Sequence, residues 1–415
     1  MIKYLNITTI LLFSISLCFC QQSSIKNSVK FGNEIFIQKH LAKVKNKRVG
    51  IVTNQTGVLP NGTYLIDTLV SVGIDITAIF GLEHGFRGNL PAGENIDHLI
   101  DEKTGIPVYS LYGWEKKPTQ EMLNQVDVIL FDVQDIGARF YTYISSLYYI
   151  LQSAAENNIS VIVLDRPNPC GGNYIDGPVL DMNFSSFVGV APLPVTHGLT
   201  IGETAQLFVG ENYISVDNKS ILDVIKCDGW QRNLFWDDIR ENWIPTSPNI
   251  QSFETALVYP GTCFLEGTNI SEGRGTDDPF LTIGAPFINA DDLINTLRSL
   301  DIKGVNISAI EFVPDDMPGK SSNTKYKGIE CRGIKIKVWD KKEFRSVEFG
   351  INLIHALLKL CPDNFKFKAD YFDLLAGNDK LRKDLLAGVD PATIIGGWQT
   401  EIETFKSLRK KYLLY

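Results

Sequence analysis

Between residues 48 and 165 the chain alternates short, continuously apolar runs with stretches of helical periodicity. This alternation limits the fold more than any other feature. Residues 48–54, 75–80, 126–131 and 159–164 read as strands, and 67–72 and 143–157 as helices between them. Strands apolar along their whole length are covered on both faces, which calls for a parallel sheet sandwiched by helices. Right-handed crossovers then make this region a doubly wound, Rossmann-like α/β domain. Residues 245–287 are rich in Pro, Gly, Asn, Ser and Thr and read as long loops. Beyond them, helices are expected at 291–300, 347–360 and 397–412 and strands at 305–312 and 333–339, a smaller α+β domain. The expected division is 33–258 for the first domain and 259–415 for the second, with a cleft between them.

Composition narrows the function. Of 415 residues, 44% are hydrophobic and 21% charged, which excludes disorder and a coiled-coil rod. The net charge of −8 and the absence of a long basic run argue against nucleic acid as a partner. Lys3, the apolar stretch 7–20 and the polar residues after it match a secretory signal over 1–20, too short for a spanning helix. Cys18 and Cys20 stand where a lipoprotein would carry its acylated cysteine, so an exported protein, periplasmic or anchored to the outer membrane, is expected. The five later cysteines show no CxxC spacing and the histidines form no HExxH, so no metal and no cofactor is expected.

The polar residues at the carboxyl ends of the strands locate the chemistry. Asn54 follows the first strand, Glu83 and His84 the second, Asp132, Gln134 and Asp135 the next, Asp165 and Arg166 the next. In an open parallel sheet these ends share one edge, where ligands bind. Three glycine-rich loops add Arg87 and Glu94, then Arg139 and Tyr141, then Asn269, Glu272 and Arg274. Carboxylates mixed with amides, arginines and aromatic rings suit a sugar: acids for proton transfer, amides for hydroxyls, rings for apolar sugar faces. His197 with Glu203 reads as an acid–base pair, and equally well Thr200 with Glu203 reads as a helix capping box. The chain has no GxGxxG and no GxSxG, and Gly319-Lys320-Ser321 lacks the first glycine of a Walker A loop, which disfavours nucleotide and serine-esterase chemistry.

Five segments together are distinctive: Glu83-His84-Gly85-Phe86-Arg87-Gly88; the stretch from Asp132 to Tyr143; Leu164-Asp165-Arg166-Pro167-Asn168-Pro169; Ser247-Pro248-Asn249 with Glu254-Thr255-Ala256; and Glu266 to Thr276. With them the chain resembles the exo-β-N-acetylmuramidase (NamZ-type) family, long catalogued as a domain of unknown function, over about residues 33–412. The resemblance implies a Rossmann-like N-terminal domain, a smaller C-terminal domain and a cleft between them. It also implies release of N-acetylmuramic acid from non-reducing ends of peptidoglycan fragments or muropeptides. A non-catalytic cell-wall sugar-binding protein using the same cleft is the alternative.

Within that reading Glu83 is the expected acid, with Glu272 in reserve. Asp132 and Asp135 are expected to orient the sugar's acetamido group or activate water. The lactyl carboxylate of muramic acid calls for an arginine: Arg87 first, then Arg139 and Arg274, with an ion pair to Asp135 one helical turn earlier as the competing role for Arg139. Asn54, His84, Glu94, Gln134, Tyr141, Asp165, Arg166, His197, Asn249, Glu254 and Asn269 are expected to bind substrate.

Overall fold

The computed structural model describes residues 29–83, 85–86, 99–215, 221–240, 242–300 and 302–415. Ten strands are described. The large sheet contains β1 (Val49–Thr53), β2 (Ile76–Gly81), β3 (Leu99–Ile100), β4 (Pro107–Ser110), β5 (Val128–Asp132), β6 (Ser160–Leu164) and β7 (Leu222–Ile225). They lie in the order β3-β4-β2-β1-β5-β6-β7. All neighbours pair in parallel except β3 with β4. The chain runs outward from β1 through β2 to β4, then returns to β5 on the other side of β1. This is the doubly wound arrangement, with its switch point between β1 and β5.

Alternate residues of β5 show why the body of the strand is apolar on both faces. Val128 and Leu130 enter one buried cluster with Ile51, Leu65 and Ile79. Ile129 and Phe131 enter the other, with Phe140, Ile144 and Leu147. A two-residue period with cores on both sides demands a continuous apolar run. The second cluster continues into a three-stranded antiparallel sheet of β8 (Thr282–Ala285), β9 (Val305–Phe312) and β10 (Cys331–Val338), in the order β8-β10-β9.

Residues 245–287 depart from their expectation as loops. They contain a buried helix, Phe253–Thr262, a 3-10 turn, Cys263–Gly267, and β8. Ser252 starts the helix by accepting the Thr255 amide at 3.1 Å. Pro260 sits inside it and cannot donate to the Ala256 carbonyl, which accepts the Cys170 Sγ at 3.5 Å instead. Gly261 permits the crossing with the helix Ser346–Leu360, since a Cβ there would stand 1.8 Å from the Ser346 carbonyl oxygen. The residues that look like breakers are here packing devices.

The carboxyl edge of the sheet is closed by a buried ion pair. Arg166, just past β6, donates to Asp132 Oδ1 at the end of β5 through Nη2 (2.6 Å) and Nε (2.9 Å), with both side chains essentially inaccessible. Asn33 reaches Asp132 Oδ2 at 3.4 Å, and the Thr53 hydroxyl donates to the Asp132 carbonyl at 3.1 Å. Removing one partner strands a buried charge. We therefore expect Arg166→Leu to cost about 3–5 kcal/mol in chemical denaturation. Combining it with Asp132→Leu should recover most of that loss; no recovery would mean that the pair does not act as a unit.

Candidate active site

The strand-end residues divide into those that staple the edge and those that face a cleft. Asn54 turns its Oδ1 onto the Thr56 amide (2.9 Å) and hydroxyl (2.6 Å). Gln134 donates its backbone amide to Thr56 Oγ1 (2.9 Å) and its Nε2 to the Asp135 and Pro167 carbonyls, both at 2.8 Å. Asp165 accepts four bonds: from the Arg166 and Gly202 amides, the Thr200 hydroxyl and the hydroxyl of Tyr415. These residues, with Asp132 and Arg166, are buried at the switch point and bonded mainly to one another and to nearby backbone.

The described cleft lies beside this edge. Glu83, just past β2, faces Tyr141, Thr142 and Tyr143, then Ser247, Tyr259, Glu266, Arg274 and Tyr371, around a cavity of about 120 Å³. The sequence brings these residues together from stretches nearly 300 positions apart. Thr142 Oγ1 donates to Glu83 Oε2 at 2.8 Å. Thr142 occupies the N-cap of the helix Tyr143–Glu156, but its side chain makes no capping bond. A hydroxyl that ordinarily satisfies a helix N–H is spent on orienting the acid.

The opposite wall is a chain of alternating charges. Arg274 donates to Glu266 Oε1 through Nη2 (2.6 Å) and Nε (3.2 Å) and lies 3.5 Å from Glu272 Oε1. Lys325 donates to Glu272 Oε2 at 2.8 Å, and the Tyr371 hydroxyl reaches Glu266 Oε2 at 3.2 Å. Burial works against charge on Glu272, but Lys325 and Arg274 outweigh it and hold the carboxyl below its usual value. Glu272 is thus a fixed anion that positions Arg274, an environment unsuited to the reserve acid. Aromatic rings line the remainder: Tyr259 packs edge-on against Phe140, Tyr141 and Phe280 with centroids 5.5, 5.8 and 4.8 Å apart. Burial pushes the phenols of Tyr141, Tyr143 and Tyr259 up, so they remain protonated.

Several expected residues do other work. Arg139 is fully buried and donates to three carbonyls, of Pro178 (2.7 Å), Leu193 (2.9 Å) and Leu375 (2.7 Å). It reads no lactyl group, and it pairs with no Asp135 either, because residues 133–139 are not helical. His197 is buried, its Nδ1 accepts the Leu199 amide at 3.1 Å, and burial pulls the ring down to about 3. It stays neutral and is no acid–base partner. Glu203 completes the capping box with Thr200 and pairs with Arg232 at 2.7 Å. Asn249 donates to the Lys320 carbonyl, Glu254 accepts the Val338 amide and Lys337, and Asn269 bridges Asn364 and Lys366. Asn249 and Asn269 fasten loops, and Glu254 ties the helix Phe253–Thr262 to β10. His84, Arg87 and Glu94 lie outside the described residues.

The sequence reading missed Thr142, Tyr143, Ser247, Tyr259, Glu266 and Tyr371 as site residues. Thr142, Tyr143, Ser247 and Glu266 stand inside the distinctive segments, which was the available signal; Tyr259 and Tyr371 stand in none.

Asp135 is a separate case. Its Oδ2 accepts the Gly137 amide at 2.7 Å, its Oδ1 has no partner among the described residues, and it does not line the cleft cavity. Burial pushes the carboxyl up to about 7. Since the unfolded carboxyl ionises near ~4, the folded chain binds the extra proton between those values, and stability falls as pH rises through the window. We expect Asp135→Asn to remove this dependence, with a gain over wild type of about 1–3 kcal/mol at pH 8 and little at pH 4. A pH-independent difference in thermal unfolding would contradict the assignment.

Comparison with known proteins places the chain among relatives. Family models described as exo-beta-N-acetylmuramidase NamZ match it twice, the N-terminal model over residues 49–254 and the C-terminal model over 257–415. It is 43% identical over 396 residues to peptidoglycan beta-N-acetylmuramidase NamZ of Bacillus subtilis (strain 168), covering 95% of this chain and 93% of that one. Two crystal structures of DUF1343 family proteins from Bacteroides fragilis share the fold. One has a TM-score of 0.85 at 32% identity, covering 94% of this chain and all of the other. The second has a TM-score of 0.74 at 34% identity, covering 94% and 99%. With both family models matched end to end, the chain belongs to the exo-beta-N-acetylmuramidase NamZ family.

Proposed function

We propose that this protein is an exo-acting glycosidase that releases N-acetylmuramic acid from the non-reducing ends of peptidoglycan fragments. The observation that carries the reading is the Glu83 carboxyl, fixed by Thr142 and facing an aromatic, arginine-bearing cleft. Family membership supplies the substrate class.

Cleavage of a glycosidic bond requires a proton on the departing oxygen, a step worth ~10²–10⁴-fold when a positioned side chain delivers it. Glu83 is assigned that step. Its neighbour Glu266 is tied to Arg274 and Tyr371, and Glu272 to Lys325, so both are spent on other charges. N-acetylmuramic acid carries a 2-acetamido group able to attack its own anomeric carbon, and a protein nucleophile is not obligatory. That route suits a cleft in which Asp132 is locked to Arg166 and Asp135 faces away. Tyr143, Tyr259 and Tyr371 supply apolar faces for the sugar ring, while the hydroxyls of Tyr143 and Tyr371 are held by the Thr246 carbonyl and Glu266. Arg274, with its guanidinium fixed between two carboxylates and over the Phe280 ring, is assigned to the lactyl carboxylate. We further read the chain as exported through its N-terminal signal, to the periplasm or, acylated at Cys18 or Cys20, to the outer membrane. Recovery of the chain from the cytoplasmic fraction with residues 1–20 intact would overturn this.

Two substitutions test the site. Glu83→Gln should lower kcat/KM on an alkyl N-acetylmuramide about 10²–10⁴-fold and much less on a nitrophenyl one, whose leaving group needs no proton. Equal losses on both would remove Glu83 from the acid's role. Arg274→Met should weaken N-acetylmuramides more than N-acetylglucosaminides, by roughly 10-fold or more, as expected for a lost charge-assisted bond. An equal loss on both sugars would assign Arg274 to holding the wall alone.

A further inference from the structure

A larger cavity, about 560 Å³, opens elsewhere on the molecule and shares no lining residue with the cleft. The two are nevertheless back to back. Ile136 and Gly137 line the large cavity while Phe140 to Tyr143 line the cleft, and on the helix Phe253–Thr262 the residues Leu257 and Pro260 face one while Tyr259 faces the other.

Its lining is richer in cations than the chain as a whole. In a protein of net charge −8, this lining carries five cations, Arg232, Lys341, Lys342, Arg345 and Lys406, against two acids, Asp176 and Glu348. Three of the cations are neutralised nearby: Arg232 by Glu203, Lys341 by Asp237 and Asp238, Lys406 by Glu403. Lys342 and Arg345 are exposed and have no ion-pair partner among the described residues. The Arg345 guanidinium lies 5.5 Å from the Tyr174 ring centroid, with Nη1 on the Lys342 and Phe344 carbonyls at 2.6 and 3.2 Å. Both cations sit on one short segment and are held at the rim. Asp176 is consumed by Tyr174, Trp398 and the Gly177 amide. Glu348, half-buried, makes no side-chain hydrogen bond among the described residues.

We propose that this cavity is a second, non-catalytic site that takes a short peptide rich in carboxylates. A compact anion such as phosphate needs donors that converge on one point, whereas these cations come from three separate stretches of chain. An extended ligand meets them in turn. Asn173, Asn233 and Gln399 offer side-chain amides suited to peptide bonds, Leu257, Pro260 and Phe344 offer apolar surface to the spacers, and Glu348 offers a partner to a free amino terminus. The volume falls within the ordinary range for a small-ligand site, roughly 300–1,000 Å³. Peptides of this character accompany the glycan in peptidoglycan fragments, so the natural source of the ligand rests on the hydrolase reading; the chemistry of the site does not.

Calorimetric titration of the full chain with a trimer of glutamate, a trimer of lysine and inorganic phosphate decides it. The glutamate peptide should bind one to one, weaken with added salt, and exceed both other probes. The double variant Lys342→Glu, Arg345→Glu removes no ion pair and should keep wild-type turnover of a small N-acetylmuramide, while losing about tenfold or more in affinity for the peptide. Absence of binding to wild type, undiminished binding to the variant, or phosphate binding as tightly as the peptide would overturn the proposal. Peptide binding without any glycosidase turnover would instead sink the hydrolase reading and leave this site standing.

Discussion

The ion pair between Asp132 and Arg166 is the constraint around which the active region is arranged. It joins the ends of β5 and β6 where an open doubly wound sheet would otherwise present a ligand crevice. Two charges taken out of water are tolerable only when matched and further bonded, and Asn33 supplies a further contact. At the same end of β6, Asp165 gathers the start of the helix Ile201–Gly210 and the hydroxyl of Tyr415, 250 positions away. The edge is thereby buried and fastened by side chains. Chemistry moves sideways, to the residues just past β2 and to the loop after β5, where they meet the segments around Glu266 and Tyr371.

That displacement gives the cleft its character. The loop after β5 leaves the stapled edge at Gln134, buries Arg139 on three carbonyls, and emerges as Tyr141, Thr142 and Tyr143. Arg139 makes contact with carbonyls from residues 178, 193 and 375, so it fixes this loop to both the N-terminal and C-terminal parts of the chain. The support behind Thr142 places its hydroxyl on Glu83, which the Tyr112 hydroxyl also contacts. On the facing wall, four alternating charges cancel, so Arg274 can present a guanidinium without an uncompensated field.

The fold was legible because its strands obey a strong rule. Fully buried parallel strands must be apolar throughout, and β1, β5 and β6 appear in the sequence almost as they lie in the sheet. The helix Phe253–Thr262 was not legible, since Pro260 and Gly261 signal a break unless one knows that Cys170 and the Ser346 backbone lie against them. Polar residues stand at the carboxyl edge of the sheet as read, but their division into staples and cleft-lining residues was hidden. Asp132, Asp165 and Glu83 all follow strands in the same way; only their partners, Arg166, Tyr415 and Thr142, distinguish them. The resemblance to a family fixed the segments and not the roles within them, as Asn249 and Asn269 illustrate by fastening loops and Glu254 by tying a helix to β10.

The central claim is that the Glu83 cleft, and not the stapled edge or the larger cationic cavity, receives the muramic acid residue. A crystal structure of the Glu83→Gln variant with a disaccharide bearing N-acetylmuramic acid at its non-reducing end tests this most directly. The account predicts the glycosidic oxygen within hydrogen-bond distance of the amide at position 83, the sugar ring against Tyr141, Tyr143 and Tyr259, and the lactyl carboxylate on Arg274. A muramic acid residue seated in the cavity beneath Lys342 and Arg345, with its anomeric carbon remote from position 83, would contradict it.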